Sequence, residues 1–108
     1  VSANHASHVT IDAGVKAVSM DGPPPEIAAG AAPGSRWKEM GDEHAFIVHP
    51  GGIAADAAPK LGDLVWLQPG HCDPTVNLYD AFFVVDADGG WERWPIDARR
   101  VTRAETQA

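Results

Sequence analysis

The sequence contains few cysteines and few basic residues, two features that would assign a protein to a broad class. It contains one cysteine, Cys72, so an internal disulfide is excluded, which fits a reducing compartment. Basic residues are also scarce, because 8 Lys and Arg stand against 15 Asp and Glu and give a formal net charge of −7. Nucleic acid is therefore not an expected partner. The basic residues that do gather lie at the C-terminal end, at Arg99, Arg100 and Arg103.

Long apolar runs are also missing. No stretch approaches the roughly 18–20 apolar residues needed to span a bilayer, and no signal peptide is recognisable. We therefore expect a cytoplasmic protein without a membrane partner. The 108 residues, 44% of them hydrophobic, suffice for one domain with a modest core. The chain starts at Val1 rather than Met, which predicts a piece of a longer chain, although processing or tag removal would look the same.

Short strands separated by Gly and Pro turns dominate the pattern. Residues 8–20 are rich in β-branched and apolar residues, which predicts a strand, a kink at Ala13-Gly14 and a second strand. The Pro- and Gly-rich segment 21–34 predicts an extended, flexible loop. Further strands are expected at 45–49, 64–67, 81–86 and 91–96, the last two forming a hairpin. No helical period is sustained, so we predict an all-β fold, a small barrel or sandwich.

The segment from Gln68 to Asp80 is the best candidate for chemistry. In an extended backbone, residues i and i+2 project to the same side, so His71 and Asp73 would converge while Cys72 points away. An imidazole and a carboxylate together suit a divalent metal, and two protein ligands leave positions open for water or substrate. On spacing alone, a surface hydrogen bond between a loop His and a nearby Asp is the commoner explanation.

Several strings of the sequence occur in an order that is typical of one enzyme family. They are VTIDAGVKAVSMDGPPP, Gly41-Asp42-Glu43-His44, Leu61-Gly62-Asp63-Leu64-Val65, PGHCDPTVNLYD and WPIDARR. Together they resemble the D-serine dehydratase-like domain of fold-type III pyridoxal-phosphate enzymes, which include D-threonine aldolases and D-serine dehydratases. The resemblance implies that residues 1–108 form the C-terminal β domain of such an enzyme. In that enzyme the domain would pack on a TIM-type barrel, usually within a homodimer.

The resemblance also implies how the cofactors are divided. Pyridoxal phosphate would be held as a Schiff base by a lysine of the barrel, so none of the lysines here is expected to hold it. Lys16 would line the cleft, while Lys38 and Lys60 would be surface residues. His71 and Asp73 would be catalytic metal ligands acting on the β-hydroxyl of the substrate.

The residue type in the third position of the motif separates two reactions of the family. Family dehydratases carry His-x-Cys and use zinc, whereas family aldolases carry His-x-Asp, the pattern of His71-Cys72-Asp73. A carboxylate favours manganese, magnesium or cobalt over zinc. We therefore expect cleavage of a D-3-hydroxy amino acid into glycine and an aldehyde. D-serine dehydratase-type β-elimination stays open because Cys72 is adjacent, and a stand-alone binding module without catalysis is the alternative of another class.

Other polar residues are candidates for supporting roles. Thr75, Asn77 and Tyr79 share the parity of the metal pair and could orient its ligands, although hydrogen bonds to the turn backbone would explain Thr75 and Asn77 equally well. Glu43 and His44 would support the cleft or the domain junction.

The remaining histidines, the cysteine and the tryptophans favour structural explanations. Within a strand, His5 and His8 would lie on opposite faces, so we expect them to be structural or surface residues. We expect His49 to be exposed at a strand end. We interpret Cys72 as a structural thiol rather than a reactive one, since no feature of the sequence suggests that the thiol is activated. The tryptophans, expected to form core and domain-interface surface, are Trp37, Trp66, Trp91 and Trp94.

Overall fold

The structure, a computed structural model, describes residues 1–97, in which seven short strands form three antiparallel sheets. The strands are β1 (His8–Ile11), β2 (Glu26–Ala29), β3 (Arg36–Glu39), β4 (Ala45–Val48), β5 (Trp66–Gln68), β6 (Ala81–Val85) and β7 (Trp91–Pro95). A 3-10 turn at Pro50–Gly52 and a short helix α1, Cys72–Val76, complete the described elements. The all-β class is confirmed, and the described strands form separate sheets rather than one closed barrel.

The core is built on the three-stranded sheet, in the order β1-β4-β3. Its central strand β4 alternates buried and half-buried residues, as expected of a strand with one face toward the core. Ile47 is fully buried and is paired with Val9 on one side and Trp37 on the other. These three side chains form an apolar row across the sheet. The indole Nε1 of Trp37 donates a hydrogen bond to the backbone oxygen of Ala13 at 3.1 Å, which satisfies its polar atom.

The two-stranded sheet β2-β5 covers this core. Ile27 of β2 is paired with Leu67 of β5, and both pack against the core cluster together with Val65. The prediction of a continuous loop over 21–34 is wrong, because the proline run leads directly into β2. Consecutive prolines favour an extended backbone, so the segment that enters β2 already has the conformation needed to pair with β5.

The third sheet is the hairpin β6-β7, as predicted. The carboxylate of Asp86 closes its turn by accepting hydrogen bonds from the backbone N–H groups of Asp88 (3.1 Å) and Gly90 (2.9 Å). Gly89 supplies the positive φ of 84° that such a turn requires. Most side chains of both strands are exposed.

The structure differs from the expected strands in three further places. The second strand expected after Ala13-Gly14 is absent, because residues 14–18 form a turn with backbone hydrogen bonds from Ala17 and Val18 to Gly14. Strand β3 was not predicted, because only its tryptophan is buried and its other residues are polar, so the sequence shows no apolar alternation. The strand expected at 64–67 begins later, at Trp66.

Some expectations lie outside the described residues. These are the arginine cluster at Arg99, Arg100 and Arg103 and the end of the WPIDARR string. Within residues 1–97, no helix has the length and apolar character needed to cross a membrane.

Candidate metal centre

The metal motif folds as the start of a short helix and not as the extended loop that was expected. His71 is the N-cap residue, with extended φ and ψ of −139° and 116°, and Cys72–Val76 are helical. Pro74 lies in the first turn, where its missing N–H has no intrahelical partner to lose. Asp73 also lies in the first turn, where a carboxylate is favoured by the exposed backbone N–H groups. The argument from strand alternation is therefore wrong.

The helix changes how the three motif side chains are arranged. Cys72 does not point away from Asp73, because its Sγ lies 3.8 Å from Oδ1 of that carboxylate. His71, Cys72 and Asp73 are all exposed, so Cys72 is not a buried structural thiol. Within residues 1–97 no group of three or more His, Cys, Asp or Glu side chains could hold a metal ion. The assignment of His71 and Asp73 as a two-residue metal site stays a prediction.

Thr75 anchors the motif to a distant segment of the chain. Its side chain is 8% exposed, and its Oγ1 donates to the backbone oxygen of His71 at 2.8 Å. The same Oγ1 accepts a hydrogen bond from the backbone N–H of Ser19 at 3.0 Å. The explanation by backbone hydrogen bonds therefore holds for Thr75. For Asn77, the described hydrogen bonds are those of its own backbone N–H, to Asp73 O at 3.1 Å and to Thr75 O.

Asp21 is the residue near the motif that the sequence did not reveal. Its Oδ2 lies 3.3 Å from Nδ1 of His71, although fifty positions separate the two residues. The side chains are accessible, at 46% exposure for His71 and 76% for Asp21. The sequence feature that could have pointed to Asp21 is the SMDGPPP string, whose prolines indicate a loop of fixed shape rather than a flexible one.

The loop that carries Asp21 is closely fitted to the loop before the helix. A Cβ at Gly70 would overlap the carbonyl oxygen of Pro23, and one at Gly22 would lie 3.4 Å from Cβ of His71. A small cleft of about 160 Å³ lies beside this contact, lined by Pro23, Pro24, Glu26, Gln68, Pro69 and Gly70. Two loops of distant sequence therefore meet at the candidate site.

The turn at residues 14–17 brings other predicted cleft residues together. The ammonium of Lys16 lies 2.6 Å from the carboxylate of Glu43, and this hydrogen bond raises the pKa of Lys16 and lowers that of Glu43. Tyr79 donates its hydroxyl to the backbone oxygen of Ala17 at 2.5 Å, and burial raises the pKa of this phenol. The half-buried His44 packs through its backbone N against Gly14, where a Cβ would lie 2.7 Å away.

The donor types of the motif are ones that a divalent metal accepts, whereas the lysines within residues 1–97 are poorly suited to a covalently bound pyridoxal phosphate. An imidazole with accessible carboxylates nearby is a nitrogen and oxygen donor set of the type that manganese, magnesium and cobalt accept. The hydrogen bond to Glu43 raises the pKa of Lys16, which makes the free amine that a Schiff base needs harder to form. Lys38 and Lys60 are exposed at the surface, as predicted.

Two predictions about the other histidines are wrong. His5 precedes β1, so the two residues do not lie on opposite faces of one strand, and the rings of His5 and His8 stack with centroids 4.6 Å apart. The exposure of His5 agrees with the expected surface position. His49 is buried, at 3% exposure, and its backbone N–H donates to Ser7 O at 2.9 Å. Among the tryptophans, Trp37 belongs to the core, while those at 66, 91 and 94 are exposed.

The fold and these contacts define an all-β domain that presents a His/Asp motif at the start of a short helix. Residues 1–85 match the family model described as "Putative serine dehydratase domain". Since this match covers well over half of the chain, the chain belongs to the family of D-serine dehydratase-like domains. The expected resemblance is thus confirmed.

Relatives and a solved structure indicate which enzymes contain such domains. The chain is 38% identical over 96 residues to a D-threonine aldolase of an Arthrobacter species, covering 88% of this chain and 24% of the relative. It is 34% identical over 90 residues to 3-hydroxy-D-aspartate aldolase of Paracoccus denitrificans (strain Pd 1222), covering 82% and 21%. The crystal structure of D-threonine aldolase from Filomicrobium marinum matches with a TM-score of 0.79 and 33% identity, covering 92% and 26%. The chain therefore spans about a quarter of the length of these relatives.

Proposed function

We propose that this chain is the metal-binding C-terminal domain of a pyridoxal-phosphate-dependent lyase. The enzyme would cleave D-3-hydroxy amino acids into glycine and an aldehyde. The observation that carries the proposal is the position of His71 and Asp73, both solvent-accessible at the start of α1. The names of the relatives support it, since each is an aldolase of a D-amino acid.

The residues of this chain would bind the metal ion and orient its ligands. The His71 imidazole and the Asp73 carboxylate would hold the ion, and Thr75 would fix the backbone of the segment that carries both. When bound, the ion would act as a Lewis acid on the β-hydroxyl of the substrate, and pyridoxal phosphate would supply the electron sink. Two protein ligands leave coordination positions open for that hydroxyl and for water.

Pyridoxal phosphate would be bound by another part of the enzyme. Lys16, which is paired with Glu43, and the exposed Lys38 and Lys60 are poor candidates for a Schiff base. We further propose that this other part is a TIM-type barrel packed against the present domain, that the enzyme is a homodimer, and that the chain alone is inactive. These partners follow from the family resemblance and from the small fraction of the relatives that the chain spans.

The close approach of Cys72 and Asp73 supports a second candidate function. A thiol beside the carboxylate offers a softer ligand, which would favour zinc and D-serine dehydratase-type elimination. The preference of the site for manganese or zinc separates the two candidates.

Calorimetric titration of the chain with manganese and with zinc tests the proposal. The proteins compared are the wild type, His71→Ala and Asp73→Ala, with His5→Ala and Asp56→Ala as controls at exposed positions away from the motif. We expect the wild type and controls to bind manganese more tightly than zinc, and each site variant to lose at least about tenfold in affinity. Manganese binding that is unchanged in both site variants, or absent from the wild type, contradicts the proposal. A clear preference for zinc that is lost in Cys72→Ala favours the second candidate.

A further inference from the structure

We infer that Asp21 is a positioning residue for His71: its carboxylate keeps the proton of the ring on Nδ1, so that Nε2 is free to bind the metal. This inference rests on the proposed function, since it concerns how one of the proposed metal ligands is held. Its basis is the distance of 3.3 Å between Asp21 Oδ2 and His71 Nδ1.

A chain of hydrogen bonds fixes the two residues relative to each other. The backbone N–H of Asp21 donates to Ser19 Oγ at 3.0 Å, and the backbone N–H of Ser19 donates to Thr75 Oγ1 at 3.0 Å. Thr75 Oγ1 in turn donates to the backbone oxygen of His71 at 2.8 Å. The two hydrogen bonds of Thr75 are partly buried, which limits competition from water there, whereas the bond between Asp21 and Ser19 is exposed.

The packing of the two loops supports the same conclusion. Gly22 has a φ of 91°, which other residues rarely adopt, and a Cβ at this position would lie in ordinary contact with Cβ of His71, at 3.4 Å. Gly70, just before His71, leaves no room for a Cβ against the carbonyl oxygen of Pro23. Asp21 is therefore presented to the ring by a fitted contact, although its side chain is exposed.

The charge of Asp21 determines which ring nitrogen carries the proton. A neutral imidazole has one N–H and one lone pair, and a carboxylate attracts the N–H and repels the lone pair. With Nδ1 facing Asp21, the protonated nitrogen is Nδ1 and the lone pair is on Nε2. A ligating histidine whose other nitrogen faces a carboxylate is a common arrangement in metal sites.

The effect is expected to be modest because both side chains are accessible to water, which weakens their attraction. Loss of a partner that orients a metal ligand weakens metal binding by about 10–100-fold. We therefore expect the lower end of that range, about tenfold.

The first experiment measures the tautomer of His71 in the metal-free chain by ¹⁵N nuclear magnetic resonance at about pH 8, above the ordinary histidine pKa. We expect mainly the Nδ1–H form in the wild type and in the control Asp56→Ala, and a shift toward Nε2–H in Asp21→Ala. Asp21→Asn, whose amide oxygen can still accept a hydrogen bond, should restore part of the Nδ1–H form. An unchanged tautomer in Asp21→Ala overturns the inference.

The second experiment titrates manganese into the same proteins. Asp21→Ala should bind about tenfold more weakly than the wild type, with partial recovery in Asp21→Asn. If the tautomer shifts but the wild type does not bind manganese, the role of Asp21 stands and the proposed function fails. If manganese binds but Asp21→Ala changes neither tautomer nor affinity, the inference fails alone. If the wild-type ring is Nε2–H and Asp21→Ala abolishes binding as completely as His71→Ala, Asp21 is a metal ligand and its positioning role is overturned.

Discussion

The three-stranded sheet and the hairpin are both antiparallel and rich in apolar residues, yet they bury them very differently. Ile47, in the central strand of the sheet, is fully buried, and Trp37 beside it is nearly so. In the hairpin, Phe83 is 67% exposed and Trp91 is 65% exposed. Among the described strands, β6 and β7 pair only with each other. The comparison shows that strand pairing satisfies the backbone, whereas burial requires a second layer of residues.

The second layer over the sheet comes from segments that are irregular in sequence. Val18, in the turn after β1, belongs to the core cluster, and Ile27 and Leu67 of the β2-β5 sheet pack against it. The candidate metal segment follows β5 directly, and Thr75 ties it to Ser19 beside that turn. The candidate site is therefore attached, through Thr75 and Ser19, to the part of the molecule that contains the core.

The largest expected effect comes from emptying the centre of the sheet. Ile47→Ala removes a fully buried side chain that lies between Val9 and Trp37, and leaves a cavity in its place. We expect the free energy of unfolding to fall by about 3 kcal/mol. Urea unfolding followed by circular dichroism measures the change.

The matched control for this substitution is in the hairpin. Val85 is 61% exposed, so Val85→Ala removes little buried surface and should cost less than about 0.5 kcal/mol. Equal losses in the two variants would show that the sheet and the hairpin are packed alike, contrary to the structure.

A smaller effect is expected where the loops of the candidate site meet. Gly70→Ala places a methyl group on the carbonyl oxygen of Pro23, and forcing the loops apart should cost about 2 kcal/mol. Gly62→Ala is the control: its methyl group would meet nothing within 4 Å, so only its φ of 89° opposes the change, at about 1 kcal/mol. Thermal unfolding compares the two variants. A smaller loss in Gly70→Ala than in Gly62→Ala would mean that the loop contact is not formed.

Strand periodicity and turn chemistry made much of this fold predictable. The run of apolar residues that became β4 and the Asp-Gly turn of the hairpin carry strong local signals, and both were correctly located. β3 carries a weak signal, because Trp37 alone is buried among charged neighbours. β2 was missed because its pairing with β5 depends on contacts that lie about forty residues away.

The candidate site was predictable in its residues but not in its geometry. The motif and its family resemblance identified His71 and Asp73, whereas the helix that contains Asp73 is only five residues long and has no period to detect. The SMDGPPP string indicated a loop of fixed shape, but not its position, because the approach of Asp21 to His71 is set by tertiary packing of two glycine-containing loops.

A pH-dependent effect is expected at the edge of the packed sheet. Desolvation and the nearby His5, His49 and Lys38 lower the pKa of His8 below its ordinary value of 6.5. The unfolded chain then binds a proton more readily than the folded one, so the stability present above about pH 6.5 decreases as the pH falls through the His8 pKa.

Comparing the wild type with His8→Gln isolates this contribution, because the other histidines are common to both. We expect the free energy of unfolding of the wild type to fall more steeply between pH 7.5 and 5, a range set at about one unit or more on either side of the ordinary histidine pKa. The measurement is urea unfolding at a series of pH values. Parallel curves would show that His8 has the same pKa in the folded and unfolded states.

The smallest effect is expected from the exposed aromatic pair of the hairpin. The rings of Phe83 and Trp91 lie 5.8 Å apart on neighbouring strands, and such cross-strand pairs contribute about 0.2–1 kcal/mol. Replacing both by serine should therefore lower the free energy of unfolding by no more than about 1 kcal/mol, measured by urea unfolding beside Ile47→Ala. A loss as large as that of Ile47→Ala would mean that the hairpin packs on the rest of the chain. A small loss would mean that the apolar residues of the hairpin are available for contact with another protein surface, because exposed apolar groups that contribute little to folding are typical of interfaces.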